Sequence, residues 1–279
     1  MKLRSYLRTR GLLAVTGLSL ALSPVPAFAG PFILAGTDAD DHGSFSLGAN
    51  QDGWFFMQRA LENLGAGVSN GNKKVVILGS TSSAASAATS AFNNSSLVGA
   101  GWSLQTVTVA NFATYFGVGG GLSSAGILMM DSGANVAGGV SGSSFTPYAA
   151  AINTFVGGGG GLFSQANGYQ WLSALVPGLT VVNNQSTGLA LTPTGTTAFP
   201  GLNNGDLSAG PWHNYFTNYG ALPVLANSTA LIGGQTQAVI LGASGGSVTA
   251  PTVPDGGSLV LIYAGLATLA FVFRRKMVR

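Results

Sequence analysis

Short apolar runs alternate with amphipathic stretches along most of this chain, and the pattern is broken mainly by glycine. "PFILAGTDADDHG" (31–43) predicts a short apolar strand that ends in a polar, acidic loop. In the next stretch Trp54, Phe55, Met57, Ala60, Leu61 and Leu64 recur at helical spacing, closed by Gly65 and Gly67. "KKVVILGS" (73–80) is a continuous apolar run ending at glycine, the pattern of a strand buried on both faces. A small-residue helix over Ala84 to Phe92 follows, then the alternating "WSLQTVTVA" as a strand and the short helix "NFATYFG". "AGILMMDSG" predicts another buried strand, Pro147 to Val156 a helix, and "GGGLFSQA" a strand. "GYQWLSALVPG" reads as a helix, and "LTVVNN" and "QAVILGAS" as the last clear strands. Strands that end in Gly, Ser or Asp, alternating with helices, predict a parallel α/β sheet covered on both faces. The Gly runs 119–121 and 157–161 read as helix-ending turns, because ordered patterns continue on either side.

Two further apolar runs lie near the ends and do not belong to this alternation. Residues 1–29 carry a basic segment (Lys2, Arg4, Arg8, Arg10), an apolar run from Gly11 to Leu22, and Ala27-Phe28-Ala29. That three-part order predicts a signal peptide cleaved after Ala29, with Ala27 and Ala29 as the small residues signal peptidase requires. Ser258 to Phe273 is a run of sixteen uncharged residues, about 24 Å long as a helix. Arg274, Arg275 and Lys276 follow it. A single transmembrane helix over 258–273 with a cytoplasmic basic tail at 274–279 is expected, placing the body outside the inner membrane.

Charge changes meaning once these ends are set aside. The chain carries a net +3, but eight of its eleven Lys and Arg residues lie in the two terminal segments. Between 30 and 252, Arg59, Lys73 and Lys74 stand against seven acidic residues, a balance of −4. The basic character therefore reports targeting, and the composition excludes nucleic acid as a partner. There is no cysteine, so stability rests on an apolar core, and neither thiol catalysis nor thiolate ligation is open to the chain.

Directly before the apolar tail stands Val253-Pro254-Asp255-Gly256-Gly257. Turn motif, thin apolar helix and basic cluster together resemble the PEP-CTERM sorting signal of Gram-negative bacteria, with "VPDGG" in place of Val-Pro-Glu-Pro. The resemblance implies recognition by an exosortase, a membrane cysteine protease-transpeptidase, which removes the tail and passes the body on for release or surface attachment. Exopolysaccharide is a further partner of that setting. The expected organisation is then signal peptide 1–29, an α/β domain 30–248, linker and sorting motif 249–257, helix 258–273 and tail 274–279.

The body resembles the class I glutamine amidotransferase-like fold, a flavodoxin-like arrangement that includes the ThuA-like proteins. "INTFVGGGGGLFSQANGYQWL" (152–172) looks like that superfamily's helix, turn, strand and nucleophile elbow. "FPGLNNGDLSAGPWHNYFTNYGALPVLANS" (199–228) looks like its later His-containing loop and following strand. The nucleophilic Cys of the amidotransferases is absent, and Ser164 or Gln165 lies near its place, which argues against glutaminase chemistry. The resemblance thus implies a degenerate domain.

The candidate chemistry lies in the loops at the carboxyl ends of the strands, where open parallel sheets hold ligands. Asp38, Asp40, Asp41 and His42 form a cluster that could bind a divalent cation, through oxygen for calcium or with the imidazole for a transition metal. No Glu stands at the closing position of an EF-hand loop, so that motif is excluded. A solvated loop whose carboxylates cap the next turn explains the same residues. His213, the second histidine, would join Asp131 and His42 in a metal site or acid/base pair; packing beside Trp212, Tyr215 and Phe216 is its other reading. Ser164 with His213 as base is a nucleophile candidate. "GASGG" around Ser244 matches the nucleophile-elbow spacing but lacks the following helix. The leading expectation is an exported, non-catalytic surface or matrix protein. The alternative is a metal-assisted hydrolase, or a cation- or glycan-binding module, using the 38–42 loop and His213.

Overall fold

The computed structural model describes residues 30–130, 136–165 and 169–242. The expected signal peptide 1–29, Asp131, Ser244, the expected sorting motif at Val253 to Gly257 and the apolar run 258–273 lie outside the described residues. Among the described residues no helix is long and apolar enough to cross a membrane.

The first strand, β1 (Phe32–Ala35), is buried throughout. It runs into the acidic loop and then a hairpin, β2 (Gly43–Ser46) and β3 (Ala49–Asp52). Helix α1 (Gly53–Gly67) presents Phe56, Met57, Ala60, Leu61 and Leu64 to the core, four of the six residues whose spacing predicts it and Phe56 besides. Next come β4 (Lys74–Leu78), α2 (Ser82–Asn93), the single turn α3 (Ser96–Gly99) and β5 (Ser103–Val107). Helix α4 (Phe112–Phe116), β6 (Ile127–Met130), α5 (Ala149–Gly157) and β7 (Gly161–Ser164) complete the alternating half. The rest is strand-rich: β8 (Thr180–Thr187), β9 (Leu189–Leu191), short helices α6 (Pro193–Ala198) and α7 (Asn204–Leu207), then β10 (Pro211–Thr217), β11 (Val224–Ser228) and β12 (Ala238–Gly242).

Ten strands form one sheet in the order β5-β4-β6-β7-β1-β12-β10-β8, with β11 paired to β12 and β9 to β11. The five strands from β5 to β1 are mutually parallel. Every remaining pairing in the sheet is antiparallel. The expected parallel α/β sheet is therefore the first half of a mixed one. Alternate residues of the central strands feed two separate cores. Ile33, Val75, Ile77, Ile127, Met129 and Phe163 pack on one face, while Phe32, Leu34, Val76, Leu78, Leu128 and Leu162 pack on the other. Burial on both faces explains the unbroken apolar runs, each large side chain contributing about 1.5–3 kcal/mol relative to exposure.

Three local expectations change. "GYQWLSALVPG" forms only a one-turn 3-10 helix at Leu172–Ala174, although Trp171, Leu172, Leu175 and Val176 are buried. Pro177 and Gly178, the latter at φ +84, end the segment before a helix can propagate. His213 lies within strand β10 and not in a loop. Trp212, Asn214 and Phe216 point inward there, and the polar Asn214 hides the alternation from a hydropathy reading. The β2–β3 hairpin went unanticipated because its turn is Leu47-Gly48, with φ +52 and +81, where Asn-Gly is the usual signal.

Candidate functional site

The site begins where β1 overruns its neighbour. Beyond Ala35 the chain continues through Gly36 and Thr37, and Thr37 bridges Trp212 of β10. The amides of His213 and Asn214 both donate to the Gly36 carbonyl, at 2.7 and 3.2 Å. Any side chain at Gly36 would overlap the Asn214 carbonyl, so glycine is required for this approach. The junction seats His213 over the loop that follows.

That loop is folded on itself. The Asp41 amide donates to the Asp38 carbonyl at 3.0 Å, the His42 amide to the Ala39 carbonyl at 3.3 Å, and the Gly53 amide to the His42 carbonyl at 2.9 Å. Trp54 Nε1 donates to the Asp40 carbonyl at 2.9 Å. From the end of β7, Gln165 reaches across. Its Oε1 accepts from Thr37 Oγ1 at 2.7 Å and from the Ala39 amide at 3.0 Å. The buried Tyr169 hydroxyl donates to the carbonyls of Ala35 and Ser164, at 2.8 and 3.3 Å. Loss of water pushes that phenol well above its ordinary range. These contacts tie the ends of β1 and β7 together beneath the loop.

Asp38 sits between the two histidines. Its Oδ2 is 2.9 Å from His213 Nε2 and 3.5 Å from His42 Nε2. A carboxylate can only accept, so the shorter contact requires the proton on Nε2 of His213 and leaves Nδ1 as the basic nitrogen of the neutral ring. Asp38 Oδ1 is buried and has no hydrogen-bond partner among the described residues. The Asp38 side chain is 13% exposed, against 26% for His213 and 33% for His42. Gly210 packs against the His42 ring so closely that a Cβ there would overlap it. Burial pushes the Asp41 carboxyl above its ordinary value of 3.8; the charge of Asp38 adds to this, and His42 and His213 oppose it.

The remaining candidates fall elsewhere. Asp40 is 2% exposed and turned into the protein. The three side chains that gather at the loop are thus Asp38 and the two histidines. Ser164 is fully buried at the end of β7, so substrate has no direct path to its hydroxyl. Asp131 and Ser244 lie outside the described residues.

The sequence reading missed two contributors. Gln165, near the place of the absent Cys, anchors Thr37 and Ala39. Asp206 also borders the small cavity beside Asp38 and His42. It closes a capping box in which its Oδ2 accepts from the Asn203 amide at 2.8 Å. The Asn-x-x-Asp spacing is visible in the sequence; its position over the loop is not.

The cavity has a volume of about 10 Å³, room for about one water molecule. Among the described residues no group of three His, Cys, Asp or Glu side chains is arranged to hold a metal ion. Chemically, the arrangement is a carboxylate that orients one imidazole firmly and a second more loosely, suited to moving or holding a proton. No protein-family model, no curated protein and no solved structure matches this chain.

Proposed function

We propose that this chain is an exported cell-surface or extracellular-matrix protein, sorted through a PEP-CTERM-type signal, whose body is non-catalytic. One observation carries the reading: the order of Val253 to Gly257, the sixteen uncharged residues to Phe273, and then Arg274, Arg275 and Lys276. A permanent anchor needs the apolar helix and the basic residues; it has no use for a Pro-Asp-Gly-Gly turn in front of them. On this reading signal peptidase removes residues 1–29, the inner membrane holds the tail, and an exosortase processes it. The body resembling a degenerate amidotransferase-like domain is consistent with a structural role. Mass spectrometry of the mature protein from its own host tests the proposal. A C-terminus near the Val253–Gly257 motif is expected, and an intact tail ending at Arg279 overturns it.

The contact of both imidazoles with Asp38 Oδ2 favours one second reading, a hydrolase of extracellular carbohydrate or peptide that uses His213, oriented by Asp38, as general base. The cavity beside Asp38 and His42 accepts only a water-sized occupant, so substrate would reach the partly exposed His213 from the open surface. Turnover of polysaccharide or peptide substrates that disappears in His213→Gln would establish this reading. Equal background rates for both proteins would remove it.

A further inference from the structure

We propose that a second cleft, at the far end of β10, binds a neutral oligosaccharide. The cleft has a volume of about 630 Å³, within the usual range for small-molecule sites. Three separate segments wall it: the end of β10 with the turn after it, β11, and the turn that leads into β12. Its surface is mainly polar, with Phe216 and Ala238 buried beneath it.

The wall chemistry selects the ligand. Thr217, Asn218, Tyr219, Asn227, Gln235 and Gln237 contribute hydroxyls, amides and one phenol, and no lining residue is a cation or a carboxylate. The cationic side chains of the body, Arg59, Lys73 and Lys74, lie on α1 and at the start of β4, outside this lining. A phosphate, sulfate or uronate would therefore enter without a partner for its charge. A neutral sugar matches each part. Primary amides donate and accept through one planar group, as vicinal hydroxyls require. Tyr219, partly buried against the core, also lines the cleft, and an aromatic ring can stack on the apolar face of a pyranose.

Part of the wall is already fixed. Asn218 is held at φ +55, with its Nδ2 donating to Thr180 Oγ1 at 3.1 Å. Gln237 Nε2 donates to the Ile232 carbonyl at 3.0 Å. The side-chain amides of Asn227 and Gln235 make no hydrogen bond among the described residues. They are left for a ligand or for water. The turn of a simple surface hairpin would bring such groups from one segment; here three converge over a buried floor. Thr217 is four residues along β10 from His213, roughly 13 Å at the rise of a strand. The cleft is therefore distinct from the Asp38 cluster, and the inference stands whether or not the tail is processed.

The test is calorimetric titration of the full chain, kept in a zwitterionic detergent that carries no sugar. The probes are cellohexaose, maltohexaose and mannohexaose, with oligogalacturonate as the charged control. Saturable binding of at least one neutral hexamer is expected, weakened about tenfold or more by Tyr219→Ala and by Asn227→Leu, and unaffected by the surface substitution Val118→Ala. Gln235→Ala, on an exposed turn, reads the same site should Asn227→Leu fail to fold. The proposal falls if no neutral hexamer binds by about 10 mM, if binding survives these substitutions, or if oligogalacturonate binds equally well.

Discussion

His213 Nε2 lies 2.9 Å from Asp38 Oδ2, across 175 residues of chain. Asp38 follows the first strand of the sheet and His213 sits in one of the last, so the contact closes the molecule where its parallel half meets its antiparallel half. Removing the carboxylate charge tests its weight. Asp38→Asn should cost about 2 kcal/mol, the usual worth of a hydrogen bond to a charged group, and lower Tm by about 4–8 °C for a domain of this size. Thermal melts of the two proteins at neutral pH measure the difference.

Asp41 gives a pH-dependent prediction of definite sign. Its folded pKa is raised above its ordinary value, so ionisation opposes folding. The stability it contributes is fully present below the unfolded value of 3.8 and is lost as pH rises through the folded value. Asp41→Asn removes that loss. The variant should match the parent near pH 3 and melt at a higher temperature at pH 7, a gap that opens as the pH rises in melts across the series.

Gly210 and His42 offer a paired test. Gly210→Ala places a methyl group in the His42 ring and should cost about 1–3 kcal/mol, as overpacking does. In a His42→Gly background both the ring and the Cβ that the new methyl group would meet are gone, and the same substitution should cost almost nothing. A double-mutant cycle in urea reads the coupling directly, and an equal cost in both backgrounds would show that it does not arise at His42.

Gln165 predicts a local effect more than a global one. Gln165→Leu leaves the Thr37 hydroxyl and the Ala39 amide without their shared acceptor, a loss of about 1–3 kcal/mol for buried polar groups. Hydrogen exchange at residues 37–42 should quicken by about tenfold or more, while α1 keeps its protection.

The β2–β3 turn should be improvable. Leu47 is fully exposed and held at φ +52, a conformation that costs most L residues about 1–2 kcal/mol. Leu47→Asn creates the Asn-Gly turn this geometry favours and should raise Tm by about 2–4 °C. An unchanged or lower Tm would indicate that the exposed leucine has a stabilising contact of its own.

Some of this was legible in the chain because local physics decides it. The runs at 32–35, 75–78 and 127–130 are apolar at every position because both faces of those strands are covered, and that is readable without a fold. α1 is readable because its buried side recurs at helical spacing. "PWHNYFT" was opaque because one of its inward positions is the polar Asn214. "WLSALV" misled because buried apolar residues can line an irregular segment as well as a helix. Among the site residues the sequence points to both the loop 38–42 and His213, but it does not separate Asp40 from Asp38. Which carboxylate faces the histidines depends on the turn closed by Asp41 and His42 and on the Gln165 anchor. The role of Gln165 is a contact over 126 residues, to Ala39, and nothing near it in sequence announces it.

The sequence by itself determined the α/β alternation, the weak negative charge of the body, the absence of thiol chemistry, and the terminal segments on which the export reading rests. These follow from composition and short-range periodicity, which need no knowledge of what packs against what. Only the tertiary structure decided that the sheet turns antiparallel beyond β1, that Asp38 and not Asp40 meets both histidines, and that three uncharged segments enclose a cleft at the far end of β10. Each depends on segments distant along the chain being brought within a few ångströms. Such approaches are set by strand order and by close contacts like that of Gly36 with Asn214, which no local pattern encodes.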